Sequence, residues 1–286
     1  RDKTILAANI MKYQIVTSCT PQYLPGLKAL RNSIQRNFPE ASLHCYMYSQ
    51  GQHPELPSGV TYIHEAQLGR KATGVGTQWR HGLILGPDMY ARLLMPRHFQ
   101  GRTFYVDVDC LVLNNFSAAW DLDLGDYATA CVYRPDIGWK GGNIYDDMGS
   151  GTFLCDTDAW RDRKLLEEMF DVMDDEKAGK TTRKFNLNVE SVMSYVHGGK
   201  FIHLPKEYQI LTYYGTLVQS DLIAHFAGPK PWDIERRQNG MHTNRKLCFA
   251  DLWQAYYDND EQRIVQYTQA LPPKRDEADY RRRISK

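Results

Sequence analysis

Residues 104–113 read FYVDVDCLVL, a run with the apolar content of a buried strand, broken by two aspartates at Asp107 and Asp109. An ionised carboxylate taken out of water without a partner costs several kcal/mol even after the protein relaxes. Any fold that buries this run must therefore bring positive charge to it. On a regular strand the side-chain period of two sets both aspartates on one face, so their charges converge. From the residues alone two readings stay open. One is a solvated strand end, or an ion pair with Arg92 or Arg102. The other is a hard divalent cation held by one or two carboxylates, with phosphate oxygens of a substrate completing its shell.

The rest of the chain limits where such a strand sits. KYQIVTSC (12–19) reads as a strand, and after the turn TPQYLPG comes GLKALRNSIQRNF, with Leu27, Leu30, Ile34 and Phe38 spaced by three and four as on a helix. SLHCYMY (42–48) and VTYIH (60–64) read as strands, GPDMYARLLMPRHF as a helix with Pro87 near its start, and FYVDVDCLVL as one unbroken strand ending at Asn114 and Asn115. YATACVY (127–133) and TFLCDT (152–157) follow as strands around a Gly-rich loop, then DAWRDRKLLEEMFDVM as one amphipathic helix. NVESVMSYVH reads as a helix, FIHLP and DLIAHFAG as strands, and LCFADLWQAYYD as a terminal helix. Strand, helix, strand in this order predicts an α/β fold with a mostly parallel sheet covered by helices. Ligands of such sheets gather at the carboxyl ends of the strands, where Asp107 and Asp109 fall. One domain is expected over residues 1–260, with 261–286 as a C-terminal helix and basic tail.

Charge excludes some partners. Lys and Arg number 35 against 34 Asp and Glu, so no overall field draws in nucleic acid or membrane. No apolar run reaches the ~20 residues of a membrane span. RDKTILAANI lacks the apolar region and cleavage site of a secretory signal, and Met11 before KYQIVTSC reads as a natural start. Six scattered cysteines without a CxxC pair read as reduced, buried thiols, which points to the cytoplasm. RRR at 281–283 is expected to give at most a weak peripheral membrane contact.

A second DxD, in DLDLGD (121–126), stands among turn residues and reads as a loop. Phosphatases of the haloacid dehalogenase type also carry a DxD after an apolar strand. Their motif wants Thr or Val two residues after the second Asp, where this chain has Leu111. AHFAGPKPWD (224–233) adds His225 after an apolar run, then Gly228, Lys230 and Trp232. A glycine lets backbone approach a diphosphate, a lysine gives it a point charge, and a neutral imidazole can join a metal. A core histidine in a satisfied pocket stands beside that reading.

Taken in order, YQIVTSCTPQYLPGLKALRNSI, YARLLMP, FYVDVDCLVL, GSGTFLCDTDAWR and HFAGPKPW resemble glycosyltransferase family 8, the group of glycogenin and the lipopolysaccharide galactosyl- and glucosyltransferases. The resemblance runs over nearly the whole domain. It implies a GT-A fold, with a Rossmann-like, mostly parallel sheet flanked by helices. It further implies a metal-dependent, retaining hexosyltransferase that uses a UDP-sugar with Mn2+ or Mg2+. Its acceptor would be a hydroxyl of a glycan, glycolipid or protein. By the same resemblance Asp107, Asp109 and His225 are metal ligands, and Ser18, Thr20, Gln22, Arg92, Asp107, Val108, Gly228 and Lys230 bind the donor. Glu190, Asn188 and Arg92 are the candidate catalytic residues.

This chain also departs from the family pattern. Thr20 stands where an Asp usually reads uracil, and Gly149-Ser150-Gly151 replaces an Asn-led triplet, with Asp146 or Asp147 as possible substitutes. The usual DQxxLN is altered to FNLNVESV. Two alternatives follow: a nucleotide-sugar or glycan-binding module without turnover, and a protein that glycosylates itself. Trp120, Trp160 and Trp253 are expected in the core; Trp79, Trp139, Tyr213 and Tyr214 are candidate acceptor contacts.

Overall fold

Tyr13–Cys19 (β1) is buried on both faces from Ile15 onward, as a strand covered on both sides must be. In the computed structural model it lies in a seven-stranded sheet between Ala41–Met47 (β2) and Arg102–Val106 (β6), parallel to both. The structure describes residues 12–48, 54–64, 78–80, 83–85, 87–133, 148–180, 189–228, 230–233, 248–276 and 278. Thr61–His64 (β3) extends the sheet beyond β2. Gln78–Arg80 (β4) and Leu83–Leu85 (β5) form a separate two-stranded hairpin. On the other side of β6 come Met148–Asp156 (β9), Thr129–Tyr133 (β8) and Ile202–Leu204 (β10), with β9 antiparallel to both neighbours. The order is β10-β8-β9-β6-β1-β2-β3. The expected mostly parallel α/β architecture is present.

Strand alternation divides the core between the two faces. Ile15, Phe104, Val106 and Leu154 turn to the face covered by Leu24–Asn37 (α1), meeting Leu27, Leu30 and Phe38. Their neighbours Val16, Tyr105, Phe153 and Cys155 turn to the other face, with Tyr90, Leu94, Trp160, Met169 and Val192. Helices cover that face: Met95–His98 (α2), Thr157–Asp162 (α3), Leu165–Lys177 (α4) and Val189–Val196 (α5). A third cluster joins Leu111, Ala224, Trp253 and Tyr256 around Ala250–Asp258 (α6), and Ile264 of Glu261–Gln269 (α7) enters it. Trp120, Trp160 and Trp253 are buried, as expected.

Three expected elements are corrected. FYVDVDCLVL is not one strand: β6 ends at Val106, and Cys110–Val112 (β7) belongs to a different, three-stranded sheet with Ile210–Leu211 (β11) and Ile223–His225 (β12). A turn over 107–109 makes the crossing, closed by the Cys110 N–H donating to the Asp107 carbonyl at 3.1 Å. The expected helix over DAWRDRKLLEEMFDVM is two, α3 and α4, because Lys164 adopts the left-handed conformation at φ 57° and ends the hydrogen-bond ladder. Asp156 caps α3, accepting from the Ala159 N–H at 3.0 Å. Pro87–Leu94 is a 3-10 helix that passes into the short α2, rather than one α-helix.

Candidate functional site

The turn that breaks FYVDVDCLVL holds both aspartates. Asp107 still extends β6, its N–H donating to the Gly151 carbonyl of β9 at 2.8 Å. Asp109 extends β7, its carbonyl accepting from the Phe226 N–H at 2.9 Å, one residue past His225. In the antiparallel β7–β12 pair, His225 lies opposite Cys110. Two sheets thus meet at this turn, and it brings carboxylates from one stretch of chain against an imidazole more than a hundred residues later.

Each carboxylate divides its oxygens. Asp107 Oδ1 accepts from Arg92 Nη2 at 2.8 Å and from the Tyr105 hydroxyl at 3.0 Å. Asp109 Oδ2 accepts from the Lys230 ammonium, which also donates to the Phe226 carbonyl at 3.0 Å. The other two oxygens, Asp107 Oδ2 and Asp109 Oδ1, lie 3.8 and 3.2 Å from His225 Nε2. One oxygen of each carboxylate therefore lies near the same ring nitrogen, while Arg92 and Lys230 meet the opposite oxygens. This donor set suits a hard divalent cation. Cys110 Sγ stands within 4.8 Å of the Asp109 and His225 ligand atoms. Its thiol is packed in the apolar cluster under α1, and burial pushes its pKa well up, so it stays protonated and is a poor ligand.

Burial and the paired charges pull the two aspartates apart. Burial raises Asp109, but Lys230 and His225 outweigh it and hold its carboxyl below the usual range. At Asp107 burial, helped by the charge of Asp109, prevails over Arg92 and holds the carboxyl above its ordinary value. Lys230 is held above its ordinary value, the Asp109 carboxylate overcoming the effect of burial.

A chain of side chains leads away from the turn. The Ser18 hydroxyl meets the Tyr105 hydroxyl at 2.9 Å, and Tyr105 reaches Asp107. Arg92, 6% exposed, lies over the Tyr105 ring at 4.6 Å, and its Nη1 donates to the Ser150 carbonyl at 2.6 Å and hydroxyl at 3.0 Å. The Ser150 hydroxyl and N–H in turn donate to Glu190 Oε1 at 3.2 and 3.3 Å. Glu190 stands in the first turn of α5, where the helix dipole favours an acid. Ser18, Arg92, Asp107 and Glu190 are therefore joined in one network across β1, β6, β9 and α5.

Other residues singled out in the sequence lie around this network. Thr20 is buried at the end of β1, its hydroxyl without a hydrogen-bond partner. Gln22 is exposed in the 3-10 turn Pro21–Tyr23. Val108 is buried, and its carbonyl packs against Gly26 so closely that a Cβ there would stand 2.7 Å away. Gly228 takes φ 94°, a conformation that favours glycine, and turns the chain between His225 and Lys230. The rings of Tyr213 and Tyr214, both half-buried, meet at 4.4 Å. DLDLGD is a loop after its first residue, Asp121, which ends the 3-10 helix Ser117–Asp121; Asp123 accepts from the Gly125 N–H at 2.9 Å. Asn188, Asp146, Asp147, Trp139 and the arginines at 281–283 lie outside the described residues, as does the side chain of Trp79.

Tyr105 and Gln209 join the site without having been singled out for it from sequence, and Ser150 and Gly151, noted there only as a departure from the family triplet, join it too. Tyr105 had a signal: it precedes Asp107 by two, on the same face of β6. Gln209 had none, since it stands in the turn before β11 and its partner His225 lies on β12.

A glycosyl transferase family 8 model matches residues 14–235. Among curated proteins, general stress protein A of Bacillus subtilis (strain 168) is 32% identical over 81 residues, 26% of this chain and 28% of that one. The chain is similar in fold to GlyE, a glycosyltransferase of Streptococcus pneumoniae TIGR4, with TM-score 0.61 and 16% identity over 89% of this chain and 62% of that one. It is also similar to an active-site mutant of LgtC, with TM-score 0.60 and 17% identity over 86% and 95%. A third likeness is to the bifunctional glycosyltransferase WbbM, with TM-score 0.59 and 16% identity over 90% of this chain and 51% of that one. The chain thus spans about a quarter of its curated relative in matched sequence, and about half of WbbM. These likenesses are of fold, the GT-A fold. With the family model matching more than three quarters of its length, the chain belongs to glycosyl transferase family 8.

Proposed function

We propose that this protein is a metal-dependent, retaining glycosyltransferase that moves a hexose from a UDP-sugar to a hydroxyl of a glycan, glycolipid or protein. One observation carries the reading: Asp107 Oδ2 and Asp109 Oδ1 both approach His225 Nε2, at 3.8 and 3.2 Å, while Arg92 and Lys230 hold the opposite oxygens. Family membership supports a sugar-nucleotide donor, and LgtC, a galactosyltransferase, has been solved with donor and acceptor sugar analogues. A divalent cation, Mn2+ or Mg2+, would be held by Asp107, Asp109 and His225, and it supplies Lewis-acid stabilisation of the departing diphosphate.

The chain's own residues do the rest. Lys230 sits on Asp109 within reach of the same space, so its ammonium adds charge for the diphosphate, and the turn at Gly228 allows backbone to approach it. Arg92 keeps Asp107 oriented and sets positive charge beside Ser150. Ser18, Thr20, Gln22 and Val108 line the start of the donor path at the carboxyl ends of β1 and β6. Glu190, fixed by two hydrogen bonds from Ser150, holds a carboxylate for the positive charge that grows at the anomeric carbon. Asn188 is its proposed companion. Tyr213 and Tyr214 offer an aromatic surface to the acceptor.

UDP release from a panel of UDP-sugars tests this. Release is expected with Mn2+ and is expected to vanish with chelator. Glu190→Gln is expected to lower turnover by about 100-fold or more with UDP affinity kept. A chain that binds UDP with Mn2+ yet releases none from any UDP-sugar would be a binding module.

A further inference from the structure

Neutral imidazole carries one proton for two nitrogens, so what Nδ1 meets decides what Nε2 can offer. At His225, Nε2 faces Asp107 and Asp109, and Nδ1 meets Gln209 Nε2 at 3.0 Å. Gln209 is 4% exposed, and its Oε1 has no hydrogen-bond partner. With the amide in this orientation its N–H donates to Nδ1, the ring proton sits on Nε2, and that N–H points at Asp109 Oδ1. A nitrogen carrying a proton has no lone pair for a cation.

A half-turn of the amide exchanges its two ends. Oε1 then accepts from Nδ1–H, and the bare Nε2 turns its lone pair toward the aspartate oxygens. Glutamine is suited to both arrangements, because one side chain presents a donor or an acceptor at the same point. A carboxylate could only accept, and an apolar side chain would do neither. The surroundings fix the two groups against each other. The Gln209 backbone N–H donates to the Lys206 carbonyl at 2.9 Å, and the Thr212 hydroxyl donates to the His225 carbonyl at 3.2 Å. Gly151 leaves the space they occupy: a Cβ there would stand 2.5 Å from Gln209 Nε2 and 2.7 Å from His225 Cε1.

We propose that Gln209 is a positioning residue of the cation site, whose amide turns to select the His225 tautomer that leaves Nε2 free to bind metal. The proposal rests on the metal reading above. Mn2+ titrated alone, followed by the paramagnetic resonance of the free ion, tests both on the wild-type chain, Asp109→Ala, Gln209→Leu and Gln209→Glu. Gln209→Leu is expected to weaken Mn2+ binding by about 10- to 100-fold. Gln209→Glu, which keeps an acceptor for Nδ1–H, is expected to bind close to wild type. If Asp109→Ala loses Mn2+ while Gln209→Leu binds as wild type does, the role of Gln209 is overturned and the cation site stands. If the wild-type chain binds no better than Asp109→Ala, the cation site falls and this role with it. Nitrogen-15 spectra of the wild-type imidazole at saturating Mg2+ need no variant. Protonated Nδ1 with bare Nε2 is expected, and a protonated Nε2 would overturn the proposal even if Gln209→Leu failed to fold.

Discussion

At the scale of single residues, the site is defined as much by what is small as by what is charged. Gly151 stands where three members of the site converge, and a Cβ there would lie 2.5 Å from Gln209 Nε2, 2.7 Å from His225 Cε1 and 3.0 Å from Asp107 Oδ2. Gly151→Ala must push these apart, because Gln209 and His225 are buried against each other and half-buried Asp107 is held by Arg92. The expected result is loss of Mn2+-dependent nucleotide binding, with overpacking destabilising the fold by about 1–3 kcal/mol. Calorimetric titration together with urea unfolding checks it, and normal Mn2+ binding by the variant would contradict this geometry. The charged residues of the site were readable from the sequence, because an aspartate in an apolar run and a lysine after a glycine stand out against their neighbours. Gln209 was not, and Gly151 stood out only as part of an altered family triplet, not for its packing. Their roles arise only from approach between β9, β12 and the turn before β11, and nothing local in the sequence reports such approach.

Among the elements, periodicity revealed faces better than it revealed breaks. The alternation that sends Phe104 and Tyr105 to opposite faces was legible, and so were α1 and the strands flanking it. The turn inside FYVDVDCLVL was not, since it is stabilised by partners far along the chain, the Gly151 carbonyl and the Phe226 N–H. The left-handed Lys164 that divides α3 from α4 likewise has no glycine to announce it. One tertiary latch bears on β12, the strand of His225. Asp221, fully buried two residues before that strand, accepts from the Arg275 guanidinium and from the Val218 N–H at 2.8 Å. The Gln219 N–H donates to the Pro272 carbonyl at 3.0 Å, joining the same two segments. Arg275→Ala would leave a buried carboxylate without its cation, and it is expected to destabilise the protein by about 3–5 kcal/mol. Denaturant unfolding measures this; a change under ~1 kcal/mol, the range of surface ion pairs, would show the latch to be dispensable.

For the whole molecule, acid sensitivity follows from three histidines that burial keeps neutral. His44, His98 and His197 are each lowered to about 4, with burial the largest cause. In the unfolded chain they titrate near the ordinary value of 6.5. Between these values the unfolded state takes up protons that the folded state refuses, so stability is full above about pH 6.5 and is lost as pH falls toward 4. For the most enclosed of them, His197, the loss amounts to as much as about 3 kcal/mol. Melting temperature should therefore fall steeply between pH 6.5 and 4, and less steeply in His197→Gln; a flat profile would contradict neutral burial.

The proposed activity requires the 107–109 turn to clamp a cation and a diphosphate. Isothermal titration of UDP with and without Mn2+, on the wild-type chain and on Asp109→Ala, tests this most directly. The predicted result is UDP binding that requires Mn2+ and disappears in the variant. Equal binding with and without Mn2+, or retention of Mn2+-dependent binding by Asp109→Ala, would contradict it.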